Sequence, residues 1–142
     1  MIIKQLSVFI ENKTGRLNEV TQILGNAGIN MSAFCVADTT EFGILRMIVS
    51  EPEKALSILK DAEFSVRLTD VICLNSPNEP GALARALNIL SEENVFIEYL
   101  YAYSMDNKSA NIVLKPDNIE KCIEVLQAHQ MDLVSASEMY KI

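Results

Sequence analysis

No apolar run in these 142 residues approaches the ~20 consecutive positions that span a bilayer. The start, Met1-Ile2-Ile3-Lys4-Gln5, has neither the charged opening nor the apolar stretch of a signal peptide. No membrane contact is expected, and the expected location is cytoplasmic. Cysteine is scarce: Cys35, Cys73 and Cys122 are odd in number and widely spaced, which excludes a disulfide framework and any CxxC metal clip. All three read as small buried apolar residues. The chain holds a single histidine, His129, with no Cys or Asp at a ligand-like spacing, so it reads as neither catalytic nor metal-binding. Lys/Arg clusters are missing from a chain of net charge −7, which argues against nucleic acid as a partner. There is no nucleophile with a base, no phosphate-cradling glycine run and no HxxxH pair, so no catalytic residue, cofactor or metal is expected.

What is present is a repeat. Asn12-Lys13-Thr14-Gly15-x-Leu17 returns as Asn78-Glu79-Pro80-Gly81-x-Leu83 at a constant shift of 66, which continues through Val20/Ala86, Ile23/Ile89, Leu24/Leu90, Ile29/Val95 and Met31/Ile97. After one extra loop residue the shift becomes 67 and pairs Glu53-Lys54-Ala55-Leu56 with Glu120-Lys121-Cys122-Ile123. Two copies of one small unit follow, residues 1–70 and 71–142. A unit of roughly 70 residues has a marginal core when alone. At 49% apolar residues the whole chain is a globular sequence.

In the first copy Leu6, Val8 and Ile10 alternate with Ser7 and Phe9, which predicts a strand ending at the turn Asn12 to Gly15. Leu17, Val20, Ile23, Leu24 and Ala27 recur at helical spacing, and Gly28 closes that helix. Ile29 to Ala37 and Phe42 to Val49 read as a hairpin around Asp38 to Glu41, Pro52 opens a second helix, and Ser65 to Leu68 supplies a fourth strand. The second copy repeats the order: strand Val71 to Leu74, helix Leu83 to Leu90, strands Val95 to Tyr103 and Ala110 to Leu114, helix Ile119 to Gln127, strand Leu133 to Met139. Two βαββαβ units are predicted, α+β in class, each a ferredoxin-like antiparallel sheet with two helices on one face. No Pro-, Gly- or Ser-rich linker separates them, because 66–72 passes almost directly from strand to strand.

The Asn-x-x-Gly turns carry the candidate chemistry. Such a turn between strand and helix leaves backbone N–H groups free at the positive end of the helix dipole, a site for a carboxylate or phosphate. Glycine lets the backbone approach a ligand closely, and the Asn12 and Asn78 amides offer both donor and acceptor. The alternative reading is ordinary turn punctuation, which duplication copies as faithfully as a binding loop. Tyr99, Tyr101 and Tyr103 share one face of a strand and line either a pocket or a packed sheet face. Lys13, Arg16 and Glu79 are ligand contacts or solvated loop charges.

The repeated Asn-x-x-Gly-x-Leu, the amphipathic helix and Gly28-Ile29-Asn30-Met31 entering the next strand resemble the ACT domain, and the resemblance covers both copies. It implies a module that regulates amino-acid metabolism by binding an amino acid between the first loop of one unit and the second strand of its neighbour. Carried over, it implicates Asn12, Lys13, Thr14, Gly15, Arg16 and Leu17; Asn78, Glu79, Pro80, Gly81, Ala82 and Leu83; and the strand positions Asn30, Met31, Phe96 and Ile97. The copies differ, with Phe96 in the place of Asn30 and Asn94 in the place of Gly28. The stronger site is therefore expected to pair the Asn78 to Leu83 loop with Asn30. An amino-acid effector, a homodimer and a partner enzyme regulated in trans are the partners this implies. The alternatives are a structural or oligomerising module, or a regulatory subunit with no ligand of its own. Weaker still are an enzyme on the same scaffold and an RNA-binding tyrosine stripe.

Overall fold

A computed structural model describes residues 1–11, 13–38 and 42–141, the side chains of Asp38 and Ser104 excepted. The expected hairpin loop at Thr39, Thr40 and Glu41 lies outside the described residues. The chain divides into two compact units. A first unit comprises Lys4–Thr69 with Ser137–Ile142, and a second comprises Met1–Ile3 with Asp70–Ala136.

The first unit holds β1 (Ile3–Glu11, whose opening residue belongs to the second unit), α1 (Arg16–Asn26), β2 (Met31–Asp38), β3 (Phe42–Val49), α2 (Pro52–Asp61) and the start of β4 (Ser65–Pro77). Its strands run in the order β2-β3-β1-β4. The register pairs Leu6 with Met47 and Val8 with Leu45 antiparallel, which puts these alternate apolar residues on one face. That face joins Val20 and Leu24 of α1 and Ala55 and Leu59 of α2 in a single buried cluster. Helical spacing in α1 and α2 thus meets the two-residue period of β1, as the sequence predicts.

The second unit repeats the plan with the rest of β4, α3 (Ala82–Glu92), β5 (Ile97–Met105), β6 (Ser109–Pro116) and α4 (Ile119–Ala128). Ile72, Leu74, Ala86, Leu90, Leu114 and Leu126 form its core. Mixed α+β architecture with antiparallel pairing and helices over one sheet face is what the repeat predicts.

The ends of the elements depart from expectation. Ser65 to Leu68 and Val71 to Leu74 are one continuous strand, β4, and not two. The closing strand expected over Leu133 to Met139 is reduced to β7 (Asp132–Leu133), paired with Leu74 and Asn75, and the chain then turns into α5 (Ala136–Tyr140). Ser135-Ala136-Ser137-Glu138 has the S-x-x-E pattern that starts helices, a local signal stronger than the imperfect alternation on which the strand rested.

All four long helices end the same way. The residue after each C-cap, namely Gly28, Glu63, Asn94 or Gln130, takes φ between 58° and 71°. Its N–H and that of the next residue bond back to the last turn, as in Ile29 N–H to the Leu24 carbonyl (3.0 Å) and Val95 N–H to the Leu90 carbonyl (2.9 Å). This is the Schellman motif, with an apolar residue following each time. Asn94 therefore does the same backbone work as Gly28, in a conformation that Asn tolerates better than most L-residues.

Candidate functional site

Helices α1 and α3 begin on a glycine in the left-handed region, with φ 91° at Gly15 and 85° at Gly81. The tight turn brings Arg16 N–H to the Lys13 carbonyl (3.4 Å) and Ala82 N–H to the Glu79 carbonyl (3.2 Å), and the first helical bonds come from Glu19 and Arg85. Among the described residues no side chain caps either helix. The amides of Leu17 and Asn18, and of Leu83 and Ala84, consequently meet no acceptor among the described residues. By contrast α4 is capped by its own Asn118, whose carboxamide oxygen accepts the Lys121 N–H at 3.1 Å. The chain closes the start of α4 with a side chain, whereas among the described residues none does so at α1, α2 or α3.

The loop residues divide by what they touch. Asn12 lies outside the described residues. Lys13 pairs with Glu11 at 2.8 Å, and this ammonium holds the exposed Glu11 carboxyl below its usual range. Thr14, Pro80 and Leu17 are exposed. Asn78 is committed to the fold: its N–H bonds the Lys108 carbonyl at 3.0 Å and its side-chain amide donates to the Asp106 carbonyl. Glu79 pairs with Arg85 at 2.8 Å. Leu83 packs on the core of the second unit, and so does Ile97. Asn30 stands just before β2, tied to Ser50 through its backbone only, so its carboxamide has no partner among the described residues. Met31, opposite Val49, is half-buried. Phe96 is 65% exposed, held by its N–H to the Asp117 carboxylate at 3.1 Å.

Of the residues set aside, Tyr101 is buried, and Tyr103 takes part in a polar chain across three strands. Asn75 donates to Asn111 at 2.7 Å, and Asn111 in turn donates to the Tyr103 hydroxyl at 3.4 Å. Cys73 and Cys122 are buried, and burial pushes their thiols up to about 12 and about 11. Cys35 is a correction, being only half-buried on the edge strand β2. Among the described residues no group of three His, Cys, Asp or Glu is placed to hold a metal, and no helix is long and apolar enough to cross a membrane.

One feature lies outside the residues that the repeat singles out. A cavity of about 440 Å³ opens within the second unit between the end of β4, the first turn of α3, the start of β6 and the C-terminus of α4. Leu74, Ala82 and Met131 supply apolar wall, and Arg85, Lys108 and Asp132 supply charge. The signal that points to it is a break in the repeat, Arg16 against Ala82, which an alignment on shared residues passes over.

The sequence profile of the ACT domain pair matches residues 1–142. This chain belongs to the ACT domain pair family. Its fold is close to that of protein BT0572 from Bacteroides thetaiotaomicron, with 54% identity and a TM-score of 0.95 over 100% of this chain and 98% of that one. The ligand-free regulatory subunit of aspartate kinase from Thermus thermophilus shares the fold at 14% identity, TM-score 0.65, over 89% and 93% of the two chains. Aspartate kinase from Clostridium acetobutylicum matches at 13% identity and TM-score 0.54, over 89% of this chain and 33% of that enzyme. No protein of curated function matches the sequence. In this ACT pair the two glycine-started helices are alike in backbone. They differ in their side chains, with Arg16 and Glu19 in one and Ala82 and Arg85 in the other.

Proposed function

We infer that this ACT pair is an amino-acid-sensing regulatory module that acts in trans on an enzyme of amino-acid metabolism. The observation that carries the reading is the pair of left-handed glycine helix starts at Gly15 and Gly81, whose first-turn amides meet no acceptor among the described residues and suit an effector carboxylate. Family membership supports the regulatory role. The net charge of −7 is compatible with a zwitterion, which carries no net charge to be repelled. The effector acts by population shift, favouring whichever packing or assembly buries it, by no more than its differential affinity.

Homodimerisation is part of this reading. The edge strand β2 exposes Phe34 (61%) and Val36 (49%), apolar side chains beside an unpaired strand edge.

Magnitudes limit the helix starts. A helix N-terminus contributes about 0.3–2 kcal/mol to holding an anion, whereas micromolar affinity needs about 8 kcal/mol. The remaining affinity comes from burying the effector side chain and from bonds to its ammonium. Thermal melting of the full chain against each of the twenty amino acids tests the reading. A ligand at 100 times its Kd adds about 2.7 kcal/mol of stability. No shift with any amino acid would instead favour a structural module without a ligand.

A further inference from the structure

In the first unit, Arg16 lays its guanidinium 4.5 Å from the centre of the Phe64 ring and pairs with Glu19 at 2.8 Å. The repeat places Ala82, Met131 and Arg85 at the corresponding positions of the second unit, by shifts of 66, 67 and 66. Truncating arginine to alanine removes the filling side chain, and Ala82 and Met131 here line the cavity. Exchanging glutamate for arginine inverts the charge beside it. Both units hold a cation against a carboxylate at 2.8 Å, Arg16 with Glu19 and Arg85 with Glu79, but in the second unit a cavity opens beside the pair.

The other walls sharpen the chemistry. Lys108 and Asp132 both line the cavity, and neither charged side chain has a partner among the described residues. Among the described residues Arg85 is held only by the exposed pair with Glu79, the kind of surface contact an entering carboxylate displaces at little cost. Leu74, Ala82 and Met131 add apolar lining, and Asn75, Ser76, Ser109, His129 and Gln130 add polar lining. Two cationic side chains, one carboxylate and a mixed lining that includes Leu74, Ala82 and Met131, in a space of this size, match a small zwitterion with a hydrocarbon side chain.

Resting on the sensor reading, we propose that the second unit binds an α-amino acid with an aliphatic side chain in this cavity, its carboxylate at Lys108 and Arg85 and its ammonium at Asp132. Selectivity for aliphatic side chains follows from the apolar lining of Leu74, Ala82 and Met131, and discrimination against free carboxylic acids follows from Asp132.

The test is calorimetric titration of the full chain with L-leucine, L-valine and L-methionine, with L-glutamate and L-lysine as charged controls. Lys108→Gln and Asp132→Asn lie at exposed positions and leave the melting temperature unchanged, yet each weakens aliphatic amino-acid binding by roughly tenfold or more. Ala82→Arg, which transplants the residue of the first unit, abolishes binding. Asn88→Ala, at an exposed position of α3 outside the cavity lining, leaves it intact. Binding that survives all three cavity variants and is lost in Asn30→Ala overturns the cavity while leaving the sensor reading in place. Binding of glutamate or lysine alone overturns the ligand class. No binding of any amino acid overturns both.

Discussion

Gly15 and Gly81 adopt the one backbone conformation that a side chain makes costly, and nothing around them restricts space. A Cβ added at Gly15 would meet no atom within 4 Å, and at Gly81 only the Arg85 guanidinium at an ordinary 3.6 Å. Any penalty for substitution there is thus conformational. Left-handed φ costs an L-residue about 1–2 kcal/mol, so Gly15→Ala and Gly81→Ala each lower stability by that amount. Gly25 provides the internal contrast. It lies inside α1, where an added Cβ would also meet no atom within 4 Å but in ordinary helical geometry, so Gly25→Ala raises stability by about 0.5–1 kcal/mol. Urea unfolding of the three variants checks this, and equal effects at all three positions would contradict it. The Asn-x-x-Gly pattern makes the glycines legible from sequence because a helix start needing positive φ has few other solutions. The role of Asn78 is not legible in the same way. Its side chain is spent on the Asp106 carbonyl, a partner 28 residues away that no local pattern announces.

The β5–β6 hairpin shows how one side chain organises an element. Oδ1 of Asp106 accepts the N–H groups of Lys108 and Ser109, both at 2.7 Å, while Asp106 N–H bonds the Ser109 carbonyl at 2.9 Å. The Ser109 and Lys108 amides hold its carboxyl below the ordinary value of 3.8. A carboxyl with a depressed folded pKa stabilises the protein fully above its unfolded value, and loses that contribution as pH falls through the folded one. Wild-type protein therefore loses more melting temperature between pH 6 and pH 3 than Asp106→Asn does, and at pH 6 the variant melts lower. A variant with the same acid sensitivity as wild type would remove Asp106 from the account. At this scale the helices and paired strands are readable from periodicity, since each buries one face against a neighbour of matching period. Element ends are less so. Leu133 to Met139 alternates well enough to suggest a strand, but Ser135-x-x-Glu138 carries a helix start, and the chain follows it.

Across the whole molecule, the duplication is visible in sequence because shared apolar positions and loop residues align at fixed shifts. What the alignment hides is where the chain ends go, since Met1–Ile3 belongs with the second copy and Ser137–Ile142 with the first. Terminal segments have no counterpart in a repeat, and their assignment depends on long-range contacts. The exchange matters energetically. Met139 is 2% exposed, the Tyr140 hydroxyl accepts the Lys4 N–H at 2.7 Å, and Ile3 is fully buried. Removing a buried methionine side chain costs about 2–5 kcal/mol, a large share of the stability that a unit of roughly 70 residues can hold. A cut between Thr69 and Asp70 strands both end segments on the wrong piece and interrupts β4. Residues 1–69 alone are thus expected to melt at low temperature and without cooperativity. Residues 4–69 joined through a glycine-serine linker to 137–142 recover a cooperative transition, followed by far-UV circular dichroism. If the bare fragment melts as high and as sharply as the linked one, the C-terminal helix contributes nothing to the unit it belongs to.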